Sequence, residues 1–385
     1  MKIALYVPCL TSKPAGLAVC INSLINAFQT KKVEIIIITE EFINEKNCFY
    51  DESKINYVEI IPKQFKFFPR ILKKIYRLIW INISLSKILI TKNVDNFISM
   101  TFEAPLFVTK KLRYGIFIHD LTALFYSGKE FLLERIYINL YLNRCINNFN
   151  FIFVPSISTA SCVLKKYPFL KKEKIKVISE GFDKKMFYLP KEKEKLDVKR
   201  IYDLPDYYFL YTGTLLEHKN LNIVLKAMQN VVNSHPECFL IIVGPASKNE
   251  IKKINTFTAR LSILDKIRFL GYVPRHHLRV LMSSSNAFVF PSKSEGFGLS
   301  VLEAMASGAY VISSNSTSLP EVLGDAGKLI SPNDEISWII EMNKSLDKKF
   351  IIDDCLKKRN KAIQRANIFS WEKTAKNMLD EIEKR

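Results

Sequence analysis

The chain has 385 residues, of which 48% are hydrophobic and 25% charged, and its formal net charge at pH 7 is +19. This composition is typical of a soluble globular protein, and the length favours two domains over a single core. No run of about eighteen uncharged apolar residues is present, so the sequence predicts no membrane-spanning helix. The first apolar run, 2–7, is too short for a signal peptide, and we expect a cytoplasmic protein.

The cysteines indicate the compartment of the protein, and the charge distribution indicates the kind of partner it could bind. Seven scattered cysteines without a C-x-x-C pair are typical of a reduced compartment and exclude the usual zinc-site spacings. Residues 1–190 contain 28 Lys and Arg against 15 Asp and Glu, whereas the rest contain 29 against 23. The excess in the first half would attract an anionic partner, such as membrane lipid, a phosphorylated acceptor or nucleic acid. A general compositional bias toward lysine is an equally good explanation.

Strand and helix patterns alternate along the whole chain, which predicts an α/β protein with parallel sheets covered on both faces. Helical periodicity is clearest in Leu17–Phe28, Phe131–Asn148, Ser158–Lys166, Leu221–Val231 and Leu299–Ala306. The predicted strands are Lys2–Val7, Val33–Thr39, Asn56–Ile61, Asn96–Ser99, Tyr114–His119, Phe151–Val154, Lys176–Ser179, Tyr208–Tyr211, Phe239–Val243, Arg268–Leu270, Ala287–Phe290, Ala309–Ile312 and Lys328–Ile330.

The charged stretch 189–200 suits a linker or an exposed helix, and we place the hinge between two domains there. The predicted organisation is a Rossmann-like domain over residues 1–190, a second over 191–370, and a C-terminal helix over 371–385. Ligands of open α/β sheets bind at the carboxyl ends of the strands, so two such domains would face each other across a cleft.

The most informative motif contains Glu295 and Glu303, which are separated by seven residues and follow the apolar run Ala287–Phe290. Gly296 and Gly298 allow a tight turn after the strand, and a helix is predicted from Leu299. The free N–H groups of a helix N-terminus attract anions. A carboxylate on each side of such a loop indicates a ligand with hydroxyls as well as phosphate, and nucleotide sugars fit that description.

Other candidate residues also follow predicted strands. Gly213 and Lys219 lie in the loop after Tyr208–Tyr211, where a lysine before a helix can bind phosphate or simply be solvated. Gly244 and Tyr272 lie in turns after the next two strands, where the backbone could contact a base.

In the first half, Gly16 precedes a predicted helix, where it either lets a ligand approach or only forms a turn. His119 and Asp120 follow the strand that begins at Tyr114. A lone histidine beside an apolar run is usually a hydrogen-bonded core residue, but a His-Asp pair at the carboxyl end of a strand is an equally good catalytic candidate.

These motifs together resemble the retaining glycosyltransferases of family 4, which have the GT-B fold. The resemblance is most specific in residues 208–330 and extends, more loosely, over nearly the whole chain. The matching segments are Glu295 to Glu303 with its Phe-Pro-Ser and Glu-Gly-Phe-Gly runs, Gly213 to Asn220, Phe269 to Pro274, Ser313 to Glu321, His119 to Leu121, Val154 to Ser156, Glu180 to Asp183 and Phe369 to Trp371. The mannosyl- and rhamnosyltransferase-like members that build bacterial surface polysaccharides are the most similar.

The resemblance implies two domains facing across a cleft, a C-terminal helix that crosses back to the first domain, and a nucleotide-sugar donor, with GDP and UDP as candidates. It implies that Glu303 binds the ribose, that Glu295 stabilises charge at the anomeric carbon, and that Lys219 neutralises the diphosphate. The backbone of Phe297, Gly298 and Leu299 would contact the sugar and diphosphate. Gly16 would admit the diphosphate, and His119 would lie near the sugar.

One departure from the family pattern concerns the cations. Many members carry an arginine after the glycine and another before the lysine, where this chain has Thr214 and His218. Either Lys219 suffices, or a residue such as Arg275 compensates, or donor affinity is reduced. The sequence also has no Asp-x-Asp motif, and we expect a metal-independent enzyme without a cofactor.

The segment 61–90 contains seven Lys and Arg, no acidic residue and several aromatics. Such a segment is typical of a helix that lies on anionic lipid, and an enzyme with a lipid-linked acceptor would use one. The alternative is a surface helix of the domain, with Ile71, Leu72, Ile75 and Ile79 packed inward.

The sequence therefore predicts a hexosyltransferase, with mannose as one candidate sugar, that acts on a glycan or lipid-linked glycan at the inner face of the cell membrane. A nucleotide-sugar epimerase of the same fold is the alternative enzyme, and an inactive partner subunit a further one. A basic nucleic-acid-binding protein is the alternative outside enzymes, but no nucleic-acid-binding motif is present and we expect no such partner.

Overall fold

The computed structural model describes residues 1–8, 17–31, 33–39, 55–59, 69–126, 128, 132–350 and 355–384. The chain divides into two units, one formed by residues 1–181 together with 370–385, and the other by residues 182–369. Each unit is built around its own parallel sheet, as the alternating sequence pattern predicts.

The first unit has a seven-stranded sheet in the order β3-β2-β1-β4-β5-β6-β7. All its neighbouring strands pair in parallel, and they form the centre of a hydrophobic core. The strands are β1 Lys2–Tyr6, β2 Glu34–Thr39, β3 Ile55–Glu59, β4 Asn96–Ser99, β5 Arg113–Phe117, β6 Phe151–Val154 and β7 Ile175–Val177.

The second unit has a six-stranded parallel sheet in the order β10-β9-β8-β11-β12-β13. Apolar clusters cover both faces, which explains why its strands are nearly continuous hydrophobic runs. The strands are β8 Tyr208–Thr212, β9 Phe239–Val243, β10 Ile267–Gly271, β11 Ala287–Phe290, β12 Val311–Ser314 and β13 Lys328–Ile330.

Helices separate most of the strands. A π-helical turn, Ile138–Leu142, interrupts the helical segment that the sequence predicts as continuous between residues 131 and 148. The described helices are α1 Leu17–Gln29, α2 Arg70–Ile83, α3 Leu85–Thr91, α4 Leu132–Tyr137, α5 Asn143–Cys145, α6 Ile157–Lys166, α7 Glu192–Ile201, α8 Leu221–Ser234, α9 Lys248–Arg260, α10 Arg275–Ser284, α11 Leu299–Ala306, α12 Leu319–Leu323, α13 Glu335–Lys344, α14 Lys348–Phe350, α15 Leu356–Ala366 and α16 Trp371–Glu383. None of them is long and apolar enough to span a membrane.

The C-terminal helix α16 belongs to the first unit, as predicted. Ser370 caps its first turn by accepting a hydrogen bond from the Lys373 N–H. The Thr374 hydroxyl donates to the Ser179 carbonyl at 2.7 Å, and Lys176 pairs with Glu381 at 2.8 Å. These contacts attach the end of the chain to the segment around β7.

The boundary between the units falls at residues 181 and 182, earlier than the predicted hinge in the charged stretch 189–200. That stretch forms α7, which is part of the second unit. Val198 is buried in the core of this unit, and Glu194 pairs with Arg279 of α10. Packing against α10 therefore makes the charged segment an integral helix and not a linker.

The orientation of α2 differs from that of a surface helix whose apolar side chains pack inward, which was one of the two sequence interpretations. Leu72, Ile75 and Ile79 are not packed inward but are 44–53% exposed, and Ile83 is 73% exposed. The buried side instead contains Ile81 and Arg77, which is only 7% exposed. A basic residue takes the inward position because it has an internal carboxylate partner, described below. The side chain of Ile71 lies outside the described part of the structure.

Candidate functional site

Three glycines end neighbouring strands of the second unit: Gly213 after β8, Gly244 after β9 and Gly271 at the end of β10. All three have positive φ, which glycine adopts without steric cost. A Cβ on Gly244 would lie 2.2 Å from the Gly213 carbonyl oxygen. Backbone alone therefore lines this part of the carboxyl edge of the sheet, and a ligand can approach it closely.

The loop between β11 and α11 turns at Gly298, whose φ is +107°. Gly298 is the N-cap residue of α11, and no side chain caps the first turn. The loop is held from the side of α12: the Ser318 hydroxyl donates to the Phe297 and Glu295 carbonyls at 2.8 and 3.1 Å, and Thr317 accepts from the Glu295 N–H at 3.0 Å. A fixed loop at a helix N-terminus is suited to bind an anionic ligand.

Lys219 and Glu295, which come from different loops, meet in this unit. Lys219 Nζ donates to Glu295 Oε1 at 2.6 Å, and both side chains are largely buried. The lysine ammonium also lies 5.6 Å from the centre of the Phe290 ring. Burial, together with the smaller effect of the Glu295 charge, raises the pKa of the neighbouring Tyr211. The site thus holds a cation and a carboxylate in direct contact at the mouth of the loop.

Glu303 lies in α11 and pairs with Arg275 of α10, whose guanidinium donates to Oε1 at 2.8 Å. Arg275 also stacks over the Phe187 ring at 4.8 Å, which fixes its position. Burial raises the pKa of Glu303 above the ordinary glutamate value, Arg275 lowers it, and Asp183 raises it further. The net shift is upward.

The raised pKa of Glu303 gives a first prediction. A carboxylate accepts hydroxyl hydrogen bonds more strongly than a carboxylic acid, so affinity for a nucleotide sugar should fall about tenfold on acidification through the pKa of Glu303. Because that pKa is raised, the loss should begin above the ordinary glutamate range near 4.5. Calorimetric titration between pH 5 and 8 would measure it, and Glu303→Gln should bind weakly without this pH dependence. An unchanged dependence in that variant would exclude Glu303 as the titrating group.

The remaining predicted residues of the second unit contribute differently. The Thr214 carbonyl accepts the Tyr211 hydroxyl at 2.8 Å. His218 is buried, and its carbonyl accepts the Lys293 N–H at 2.7 Å, which makes it part of the loop scaffold. Tyr272 is 75% exposed. The positions where the resemblance leads us to expect arginines are thus a loop threonine and a buried histidine. Arg275 is a further cation of this unit, and it pairs with Glu303.

The candidate residues of the first unit form a separate cluster. His119 Nδ1 lies 3.0 Å from Glu180 Oε1, and the ring stacks on Phe117 at 4.4 Å. Because Nδ1 faces a carboxylate, it carries a hydrogen, and Nε2 accepts in the neutral ring and donates only in the imidazolium. Nε2 is buried and has no hydrogen-bond partner among the described residues. Gly16 lies outside the described residues.

Several structural partners were not assigned roles from the sequence. Glu180 orients His119, and Thr317 and Ser318 hold the loop that carries Glu295. Glu180 lies in the segment Glu180 to Asp183, and Ser318 lies in the segment Ser313 to Glu321. Their membership of these motifs was the sequence signal that could have indicated a role. Within the described part of the chain, no group of three or more His, Cys, Asp or Glu side chains is arranged to hold a metal ion.

Two protein-family models match this chain. Residues 14–185 match the model for Glycosyltransferase Family 4, and residues 192–368 match the model for Glycosyl transferases group 1. These two matches include nearly every motif described above. The chain therefore belongs to the family 4 glycosyltransferases, and its fold is GT-B.

Among similar proteins is O-antigen chain mannosyltransferase B of Escherichia coli, 33% identical over 229 residues, which cover 56% of this chain and 59% of that protein. O-antigen chain mannosyltransferase RfbU of Salmonella typhimurium is 29% identical over 223 residues, 58% of each chain. The match thus spans about three-fifths of the length of these curated relatives. HepE from Anabaena, solved with UDP and glucose, has a similar fold over 100% of both chains, with a TM-score of 0.76 at 17% identity.

Proposed function

We propose that the chain transfers a hexose, mannose in the first instance, from a nucleotide diphosphate sugar to a glycan or lipid-linked glycan in surface polysaccharide synthesis. The observation that carries the proposal is the Lys219–Glu295 pair at the N-terminal loop of α11, with Glu303 about one turn into the same helix. Such a donor requires a cation for its diphosphate, a carboxylate near its sugar and a carboxylate near its ribose. We propose Lys219, Glu295 and Glu303 for these three positions. Mannose is chosen because the similar O-antigen enzymes are named mannosyltransferases.

We assign a role to each of these groups. Glu303 accepts hydrogen bonds from the ribose hydroxyls, and Arg275 supplies positive charge beside it. The glycine edge formed by Gly213 and Gly244 and the backbone of residues 296–299 receive the diphosphate and sugar. Lys219 exchanges its contact with Glu295 for the diphosphate, which leaves Glu295 to stabilise positive charge at the anomeric carbon.

In the proposed reaction the sugar keeps its anomeric configuration, and no protein nucleophile takes part. The bond between the anomeric carbon and the phosphate oxygen breaks, and the nucleoside diphosphate leaves with the electron pair. The acceptor oxygen bonds to the same face of the sugar, and its proton passes to the departing phosphate oxygen. The protein supplies charge stabilisation and orientation, and we assign His119 to a sugar hydroxyl.

A donor panel tests the proposal. Ligands that bind only the native state raise the melting temperature, so GDP-, UDP- and dTDP-sugars can be ranked by thermal stabilisation. We expect GDP-mannose to stabilise the wild type, and Glu303→Gln to lose most of that effect. Absence of stabilisation by every nucleotide sugar would contradict the proposed donor class.

Metal independence is the second prediction. Helix-end N–H groups and a lysine can neutralise a diphosphate, so we expect wild-type transfer rates to change less than twofold when EDTA is added. The comparison is with the same assay supplemented with Mg²⁺. Complete loss of activity in EDTA, restored by Mg²⁺, would overturn this expectation.

We further propose that the protein works at the inner face of the cell membrane and contacts it through α2. The exposed apolar stripe of that helix lies in a segment with seven basic residues and no acid between residues 61 and 90. Such a surface gains both apolar burial and attraction to anionic lipid headgroups.

A vesicle assay provides the third prediction. We expect more protein to sediment with anionic than with neutral vesicles, and the double substitution Ile79→Asp and Ile83→Asp to reduce sedimentation at least fivefold. Ile336→Asp, which changes a similarly exposed isoleucine of α13, is the matched control and should have no effect. Equal sedimentation with both vesicle types would contradict membrane contact.

A further inference from the structure

A cavity of about 390 Å³ lies in the second unit, at the amino edge of its sheet. Its lining includes Asp206 and Asn286, which precede the strands β8 and β11, and Arg359 of α15. The glycine turns and the loop before α11 lie at the opposite, carboxyl edge of the same sheet, so the cavity does not overlap the proposed donor site. Its size is within the range of small-molecule sites, roughly 300–1,000 Å³.

Arg359 brings a positive charge to this cavity. One of its guanidinium N–H groups donates to the Ser285 carbonyl at 2.8 Å, which holds the guanidinium in place. Its Nε is buried and has no hydrogen-bond partner, and none of the described carboxylates pairs with the guanidinium. The side chain is partly buried. A partly buried charge without a counterion is unfavourable, and an anionic ligand would compensate for it.

The side-chain amide of Asn286 supplies further hydrogen-bond donors. Its oxygen accepts the Tyr208 N–H at 2.9 Å, which fixes the orientation of the amide group. Its two amide hydrogens have no acceptor among the residues that the structure describes. The cavity therefore presents donors from two separate parts of the chain, and a ligand rich in hydrogen-bond acceptors would satisfy both of them.

The carboxylate of Asp206 also lines the cavity, and its charge is already compensated. Asp206 pairs with Lys199 of α7, and its side chain is 76% exposed to solvent. Two positive charges, on Arg359 and Lys199, thus stand against one negative charge, which leaves a net charge of +1 at the cavity. The helix α15 that carries Arg359 has five basic residues and no acidic one, which adds to the positive potential.

We infer that this cavity binds a small phosphorylated molecule, whose phosphate group accepts hydrogen bonds from Arg359 and Asn286. The planar guanidinium suits two phosphate oxygens, and a phosphate has a third oxygen for the Asn286 amide, which a carboxylate lacks. Because the cavity reaches the size of small-molecule sites, we expect the phosphate to be part of a larger molecule than the free ion. This second binding site does not depend on the proposed transferase function.

Glucose 6-phosphate is a suitable probe, and its affinity can be measured by calorimetry on the full-length protein at about 0.15 M salt, which screens weak surface attraction. Arg359→Gln should weaken binding at least tenfold. The matched control is Lys357→Gln, which removes the same charge from an exposed position of α15 that does not line the cavity. Its affinity should stay within twofold of the wild type. Inorganic phosphate should bind at least fivefold more weakly than glucose 6-phosphate.

Asn286→Asp tests the site without removing the contact between Arg359 and Ser285. It keeps an oxygen for the Tyr208 N–H but replaces the amide donors by a negative charge, so it should abolish binding while the melting temperature without ligand stays near that of the wild type. Lys219→Met, which changes the proposed donor site, should bind glucose 6-phosphate like the wild type.

Three results would overturn the assignment: no binding by the wild type, equal affinities of the Arg359 and Lys357 variants, or a loss in Lys219→Met as large as that in Arg359→Gln. Equal affinity for inorganic phosphate and glucose 6-phosphate would refute a ligand larger than the free ion.

Discussion

Replacing Glu295 by glutamine is expected to lower the rate of sugar transfer by about two to three orders of magnitude, while donor affinity changes less than tenfold. The side chain lies beside the loop of α11, in contact with Lys219, and we assign it to the charge that develops at the anomeric carbon. A charge that acts mainly in the transition state affects kcat more than binding. Initial rates at saturating labelled donor would measure the effect.

The control for this variant is Glu217→Gln, which removes an exposed carboxylate two residues before Lys219. It changes the net charge of the same region equally but leaves the Lys219–Glu295 pair intact, so transfer should remain within twofold of the wild type. Full activity of Glu295→Gln would refute the role given to this residue.

Lys219→Met is expected to weaken donor binding about tenfold and to lower kcat about a hundredfold. The ammonium lies at the loop where we place the diphosphate, and its loss removes leaving-group stabilisation and leaves Glu295 without its partner at 2.6 Å. With Thr214 and a buried His218 at the positions of the family arginines, little other positive charge is available in this loop. Calorimetry with the donor and steady-state rates would separate the two effects.

Lys226→Met is the matched control, since Lys226 lies in the helix that follows and pairs with Glu335 at 3.2 Å on the surface. Its donor affinity and rate should be unchanged. Lys219→Arg retains the charge and should restore part of the rate. If Lys219→Met and Lys226→Met behave alike, the leaving-group role of Lys219 is excluded.

The order of elements and the donor-site motifs were predictable because they depend on local patterns. Thirteen strands were predicted, and the part of the chain that the structure describes contains thirteen, with ends that differ by a few residues. The turn at Gly298 and the helix from Leu299 follow directly from glycine and helix preferences. Such features require only the period of hydrophobicity and the special conformations of glycine.

The side-chain pairs of the candidate sites were not predictable, because they are tertiary contacts between residues far apart in the sequence. That Arg275 contacts Glu303, and that Glu180 orients His119, depends on which strand ends become neighbours. The orientation of α2 shows the same limit more clearly. Hydrophobicity alone predicts that Ile75 and Ile79 pack inward, whereas the Arg77–Glu103 pair turns the helix and leaves them exposed. Glu103 lies 26 positions from Arg77 in the sequence, so the helix pattern alone does not reveal the ion pair that determines which side of α2 is buried.

The proposed action of Glu295 and Lys219 on the anomeric carbon of a bound donor can be tested without knowing the acceptor. Water replaces the acceptor slowly, so proton NMR of GDP-α-D-mannose incubated with the enzyme would show which anomer of the sugar is released first. We predict α-mannose from the wild type and at least tenfold slower release from Glu295→Gln. Initial release of β-mannose, or of a sugar epimerised at carbon 2, would contradict the account.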